Sequence, residues 1–149
     1  MAVLFMEVKE MNRLMRQAFE KDQIRGRESR IRVDRDRQKI AYKAPNGTLF
    51  FIETGSVEEG GEPVVRSPAA DIYSAAHKTH TLGGSRVCLA NSLRGWDLTR
   101  ILLQCDSWAR GMELYRSGQK FPSSPKEAFA RHPQSGRSGP KKLLKLLFG

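Results

Sequence analysis

Asn46-Gly47, preceded by Pro45, separates two β-rich runs: Gln38 to Ala44 with Ile40 and Tyr42, and Thr48 to Glu53 with Leu49-Phe50-Phe51-Ile52. Both turn residues tolerate positive φ, so the two runs are expected to form an antiparallel hairpin. Upstream, Ile31 and Val33 alternate with Arg32, Asp34 and Arg35, the period of a half-buried strand. Downstream, the acidic, glycine-rich Gly55 to Gly61 is a loop, and Pro63-Val64-Val65 gives one more strand before Ser67-Pro68. Ahead of these strands, Leu4, Val8, Met11, Met15, Ala18 and Phe19 recur at three- and four-residue steps, which predicts an amphipathic helix from about Glu7 to Asp22. The expected order is a helix followed by an antiparallel β-meander of about four strands, an α+β arrangement.

The second half has a different texture. Ser67 to Asn91 is mostly irregular, with a short strand around Ile72-Tyr73. After Trp96 the pattern turns helical. Asp97 or Thr99 starts the helix, and Leu98, Ile101, Leu102, Cys105, Trp108, Ala109, Met112 and Tyr115 supply its buried stripe. Gly118 ends it. Lys126 to Arg131 is expected to add one more short helix. His132 to Pro140 has the composition of a linker, and Lys141 to Phe148 is a short basic amphipathic segment. This divides the chain into one domain over 1–131 and a basic tail over 132–149.

Composition narrows the class. A chain of 149 residues supports one compact domain, and its 39% hydrophobic and 28% charged content is polar without being that of a disordered chain. No apolar run approaches the roughly 18 residues of a membrane span. Met1 to Met6 is apolar but has no basic n-region or small-residue cleavage site, and Glu7 follows at once. Two cysteines, Cys88 and Cys105, cannot build a disulfide framework, and the chain is expected to be cytoplasmic. Cys105, on the apolar stripe of a helix, is expected to be an inert core thiol.

The formal charge of +10 raises nucleic acid or an acidic partner. Residues 1–44 carry +5, 45–90 carry −2, 91–131 carry +3 and 132–149 carry +4, so the surplus lies at the two ends. The Arg/Asp mixture around Val33 suits a solvated sheet face. A nucleic-acid stripe is the weaker alternative there, because Asp34 and Asp36 interrupt the basic residues. The division favours docking of protein partners over nucleic acid, with membrane contact open to the tail.

The residues able to do chemistry cluster between His77 and Cys88. His77 and His80 stand three apart near Cys88, but a fourth zinc ligand and the CxxC or HExxH spacing are missing, and no cofactor is expected. A Cys–His hydrolase would need a third residue to orient the histidine, and none is identifiable. Gly83-Gly84-Ser85-Arg86 lacks the lysine and glycine spacing of a phosphate loop and is better suited to a tight turn.

The string His77-Lys78-Thr79-His80-Thr81-Leu82-Gly83-Gly84-Ser85-Arg86-Val87-Cys88-Leu89, with Trp96 eight residues beyond Cys88, resembles the active-site segment of ubiquitin-conjugating (E2) enzymes. In that family a histidine-containing turn and a glycine precede Cys-Leu, and a tryptophan follows ahead of an apolar helix. The resemblance covers roughly residues 7–131. It is closer to the divergent bacterial E2-like proteins of antiphage defence operons, whose later segment matches Trp108, Tyr115, Gly118, Phe121 and Pro122. It implies a UBC-like fold and an E2-type transferase. Such an enzyme takes a ubiquitin-like protein from an E1-like activating enzyme as a Cys88 thioester and passes it to an amine of a protein substrate. It also implies that Arg13, Arg16 and Lys21 on the first helix meet the activating enzyme.

The family's His-Pro-Asn tripeptide is absent, since Lys78 and Thr79 follow His77. The oxyanion-supporting role is therefore left to Asn91, Thr79 or His80. The competing expectation is a module without chemistry, either an inactive E2-like fold or a basic binder of nucleic acid or an anionic membrane.

Overall fold

The computed structural model describes residues 12–20, 26–55, 57, 60–72 and 79–130. Its sheet grows outward from the central hairpin. Strands β2 (Lys39–Lys43) and β3 (Leu49–Glu53) pair antiparallel, with Tyr42 opposite Phe50 and Ile40 opposite Ile52. The connection is one residue longer than a two-residue Asn-Gly turn. Pro45 has no N–H with which to close such a turn, so the closing pair moves out to Ala44, whose amide donates to the Thr48 carbonyl at 2.8 Å. The Gly47 amide donates to the Ala44 carbonyl at 2.9 Å, and of the turn residues only Gly47 takes a positive φ, +90°. This is the three-residue loop in which a turn is followed by a left-handed glycine.

Strand β1 (Ile31–Asp34) flanks β2, and β4 (Val64–Arg66) flanks β3, completing the expected four-strand meander. Two further strands come from the segment expected to be irregular. β5 (Thr81–Gly83) and β6 (Arg86–Val87) form a hairpin whose turn holds Gly83, Gly84 and Ser85 at φ of +82°, +57° and +67°. β6 pairs with β4, giving a six-stranded antiparallel sheet in the order β1-β2-β3-β4-β6-β5. Pro68–Ile72 is a 3-10 helix where a strand around Ile72-Tyr73 was expected. Pro68 cannot donate to a strand ladder, and the Ser67 hydroxyl accepts from the Ala69 amide at 3.2 Å, turning the chain helically. Tyr73 lies outside the described residues.

Helix α1 (Arg13–Glu20) begins at Asn12, whose Oδ1 accepts from the Met15 amide at 3.0 Å, the geometry of an N-cap. The same side chain donates to the carbonyl and the hydroxyl of Thr54, both at 2.8 Å, clamping the helix start to the end of β3. Leu14, Met15 and Ala18 are buried. Phe19, expected on the apolar stripe, is instead 42% exposed beneath the Arg35 guanidinium, 5.0 Å from its ring centre. Positions 7–11 and 21–22 of the expected helix are outside the described residues.

Helix α2 (Leu98–Arg116) follows Asp97, and its expected stripe is buried from Leu98 to Met112, with Tyr115 half-buried. Its first amide is capped from α1, since Leu98 N–H donates to Gln17 Oε1 at 2.7 Å. It ends at Gly118 (φ +91°), where the Gly118 and Gln119 amides return to the Tyr115 and Leu114 carbonyls. Helix α3 (Pro125–Ala130) starts at Ser124, whose hydroxyl accepts from the Glu127 amide at 3.1 Å, with Pro125 at the first helical position. No described helix is long and apolar enough to cross a membrane.

The inner sheet face packs on α2. Phe50 meets Trp108 edge-on, with ring centres 5.7 Å apart. Beside them Tyr42 Oη donates to Asp106 Oδ1 at 2.6 Å, and Arg27 donates to Asp106 Oδ2 at 3.1 Å. Burial raises the Asp106 carboxyl, while its hydrogen bonds from Tyr42 and Arg27 pull it back. Burial, reinforced by Asp106, holds the Tyr42 phenol well above its ordinary 10.0 and the Cys105 thiol well above 9.0.

Both shifts are upward. The unfolded chain therefore releases these protons first, and the stability is complete below the unfolded values and lost as pH rises past them. Urea unfolding should show stability falling from about pH 9 upward, each group contributing up to ~1.4 kcal/mol per pH unit. Tyr42→Phe should flatten that slope above about pH 10. An unchanged slope would mean that the Tyr42 phenol titrates alike in both states.

Candidate functional site

Cys88 directly follows β6, and the hairpin determines where its thiol sits. The Cys88 amide donates to the His80 carbonyl at 2.8 Å, extending the pairing of Thr81 with Val87 by one step. His80 itself is left-handed, at φ +52°, a conformation seldom adopted by non-glycine residues. The residue before it is anchored: Thr79 is fully buried, and its carbonyl accepts from Trp108 Nε1 at 2.8 Å. The segment bearing His80 and Cys88 is thus tied at its base to α2.

The two thiols differ sharply. Cys88 is half-buried and its Sγ lies 3.6 Å from the Ala90 carbonyl, a weak donor contact. Cys105 is fully buried, and its raised proton affinity keeps it a neutral core thiol. Of the two, Cys88 is the one a reagent or substrate can reach.

A shallow cleft of about 90 Å³ opens at Cys88. Its base is one face of α2, where Gln104, Ser107 and Trp108 stand at three- and four-residue spacing. One wall is His80 and Leu89, and the other is the run from Phe121 to Pro125. The Phe121 ring lies 5.1 Å from the His80 ring and is seated on Gly111, where a Cβ would stand 2.5 Å from a ring carbon. The missing side chain at Gly111 therefore admits the wall. The cleft combines a thiol, an imidazole, a primary amide and three serine hydroxyls, and among the described residues no carboxylate, lysine or arginine lines it. Such a set suits nucleophilic thiol chemistry with hydrogen-bond donors close by.

The sequence-derived residues are distributed as follows. His80 and Cys88 share the cleft. His77 and Lys21 are outside the described residues. Asn91 is exposed in the loop after Cys88 and does not line the cleft. That loop is tied elsewhere, the Ser92 hydroxyl donating to Glu62 at 2.8 Å. Arg16 is exposed on α1. Arg13 is occupied within the chain: its guanidinium donates to the Trp96 carbonyl at 3.0 Å and to Asp97 at 3.2 Å, so it fastens α1 to the far end of the same loop. Trp96 is partly buried against the core, with Arg100 stacked 3.8 Å over its ring.

Gln104, Ser107 and Ser123 to Pro125 were not singled out from the sequence. The available signal was Gln104 and Ser107, two polar residues three apart beside an apolar stripe. Among the described residues, no group of three His, Cys, Asp or Glu side chains is placed to hold a metal ion. Comparison of the chain with protein-family models, curated proteins and solved structures finds no match in any of the three.

The seat of Phe121 makes a prediction whose sign depends on background. Gly111→Ala should destabilise the protein by about 1–3 kcal/mol, because the ring must leave its place. With Phe121→Ala already present, the same change should be neutral or stabilising by up to ~1 kcal/mol, because alanine is the better helix former. Urea unfolding of the four proteins measures both, and equal effects in the two backgrounds would refute the contact.

Proposed function

We propose that the protein is an E2-like carrier with a UBC-like fold, accepting a ubiquitin-like protein on Cys88 and passing it to an amine of a target protein. The observation that carries this reading is the placement of Cys88. It is the accessible thiol, it sits in a cleft beside His80, and it lies between an antiparallel meander and a long apolar helix. This is the order of parts that the resemblance implies.

In the charging step the Cys88 sulfur attacks the carbonyl carbon of a thioester held by an E1-like activating enzyme. The bond from that carbon to the activating enzyme's sulfur breaks, and the departing sulfur takes up the proton that Cys88 gave up, through His80 or water. In the transfer step an amine attacks the new thioester carbon, the bond from that carbon to the Cys88 sulfur breaks, and the departing thiolate takes up the proton released by the amine. Both steps place negative charge on the thioester oxygen. Gln104 and Ser107 supply donors toward it from α2, which compensates for the missing His-Pro-Asn tripeptide. Helix α1, with Arg16 on its exposed side, is the proposed docking surface for the activating enzyme. Arg13 links that surface to the loop after Cys88.

The test is a charging reaction with ATP, an E1-like activating enzyme and its cognate ubiquitin-like protein, followed by intact mass. A single adduct with the modifier's mass is expected, removed by thiol reductant and absent in Cys88→Ala. Cys88→Ser should give an adduct that reductant does not remove, and Cys105→Ala should charge normally. Loss of charging in Cys105→Ala but not in Cys88→Ala would overturn the assignment. A wild-type protein that forms no adduct would instead support a docking module without chemistry.

A further inference from the structure

The sheet register gathers basic residues that the sequence scatters. Arg32 lies opposite Ala41, Ala41 opposite Phe51, Phe51 opposite Arg66, and Arg66 opposite Arg86. Residues paired across antiparallel strands share a face, so these five side chains form one row across β1, β2, β3, β4 and β6. The row is on the outer face, since the intervening Ile40, Tyr42, Phe50, Ile52 and Val65 are buried inward.

At about 4.8 Å per strand the row runs roughly 19 Å from Arg32 to Arg86. Its ends are positively charged, and its centre is a small side chain and a half-exposed aromatic ring. Arg32 and Arg86 are both exposed, and neither guanidinium forms an ion pair or hydrogen bond with a described residue.

Among the described residues, the acidic side chains on this face are already paired. Glu53 pairs with Arg66 at 3.1 Å and with Lys39 at 4.0 Å, and Asp34 pairs with Arg37 at 3.9 Å. Asp36 is in the turn after β1, off the sheet. The acids that interrupt the basic residues along the chain therefore do not interrupt the row in space. Arg66 also donates to the Gly84 carbonyl, which fixes its guanidinium over the junction of β4 and β6.

We propose that this outer face binds single-stranded nucleic acid across the strands, with phosphates at Arg32 and Arg86 and a base stacked on Phe51. Guanidiniums that meet phosphates on either side of an aromatic platform are the recognition chemistry of a single strand. An acidic protein surface would use the arginines but would have no particular need of the ring. The site lies on the sheet face opposite α2 and is independent of the conjugation chemistry proposed for Cys88.

The experiment is fluorescence anisotropy of the full chain with a labelled oligo-dT of twenty nucleotides over a range of salt. Wild-type protein should bind with a clear salt dependence. Arg32→Ser/Arg86→Ser should weaken binding by about tenfold at low salt and lower the salt slope by about 1.4, two contacts at roughly 0.7 each on a single strand. Phe51→Leu should weaken it about fivefold or more with the slope unchanged. Lys120→Ser/Lys126→Ser removes the same charge away from the row and should bind as wild type. The proposal is overturned if wild type does not bind, if the arginine pair has no effect, or if the lysine pair weakens binding as much. Binding to polyglutamate with the same arginine dependence and no effect of Phe51→Leu would also overturn it, in favour of an acidic protein partner.

Discussion

The hydrogen bond from the Trp108 indole to the Thr79 carbonyl is the interaction on which the geometry of the site rests. It is made inside the core, where a carbonyl without a partner would cost about 1–3 kcal/mol. The same indole packs edge-on against Phe50 at the centre of the sheet. One side chain of α2 thus fixes the helix on β3 and holds the residue preceding His80. From there the backbone bond between Cys88 and His80 carries the constraint to the thiol. The cleft is in effect an edge of the hydrophobic core, and packing sets its shape more than loop conformation does.

A second set of ties fixes how the layers meet. Asn12 joins α1 to Thr54, Asn46 in the central turn donates to the Ala109 carbonyl of α2 at 3.0 Å, and Asp106 receives Tyr42 and Arg27 from beneath the sheet. A buried pair of charges adds little net stability compared with apolar packing, but its bonds are satisfied in one arrangement only. These residues give a sheet and helix of ordinary apolar composition a single register against each other.

Much of the frame could be read from local pattern. The Pro45-Asn46-Gly47 turn, the stripe of α2 and the stop at Gly118 each depend on residues close in sequence. What escaped depends on pairing over distance. β5 and β6 are three and two residues long, too short for alternation to register, and they exist because three successive residues from Gly83 take positive φ and Arg86 meets Arg66. Phe19 fits the helical period yet is exposed under Arg35, while Leu14, Met15 and Ala18 are the buried residues of the same helix. The cleft unites Cys88 with side chains up to 37 positions away, and no local pattern marks them as neighbours. Charge summed along the chain made residues 45–90 mildly acidic, while the sheet sets Arg66 and Arg86 in line with Arg32.

The central structural claim is that core packing at Trp108 holds the Cys88 cleft, and the two cysteines allow a direct measurement of it. In native protein, alkylation by iodoacetamide reports cleft opening at Cys88 and global unfolding at the fully buried Cys105. In Trp108→Phe the Thr79 carbonyl loses its donor while most of the packing remains. Modification of Cys88 should be accelerated clearly more than that of Cys105, whose rate rises only with the loss of global stability. Equal acceleration at both cysteines, or none at Cys88, would contradict the claim.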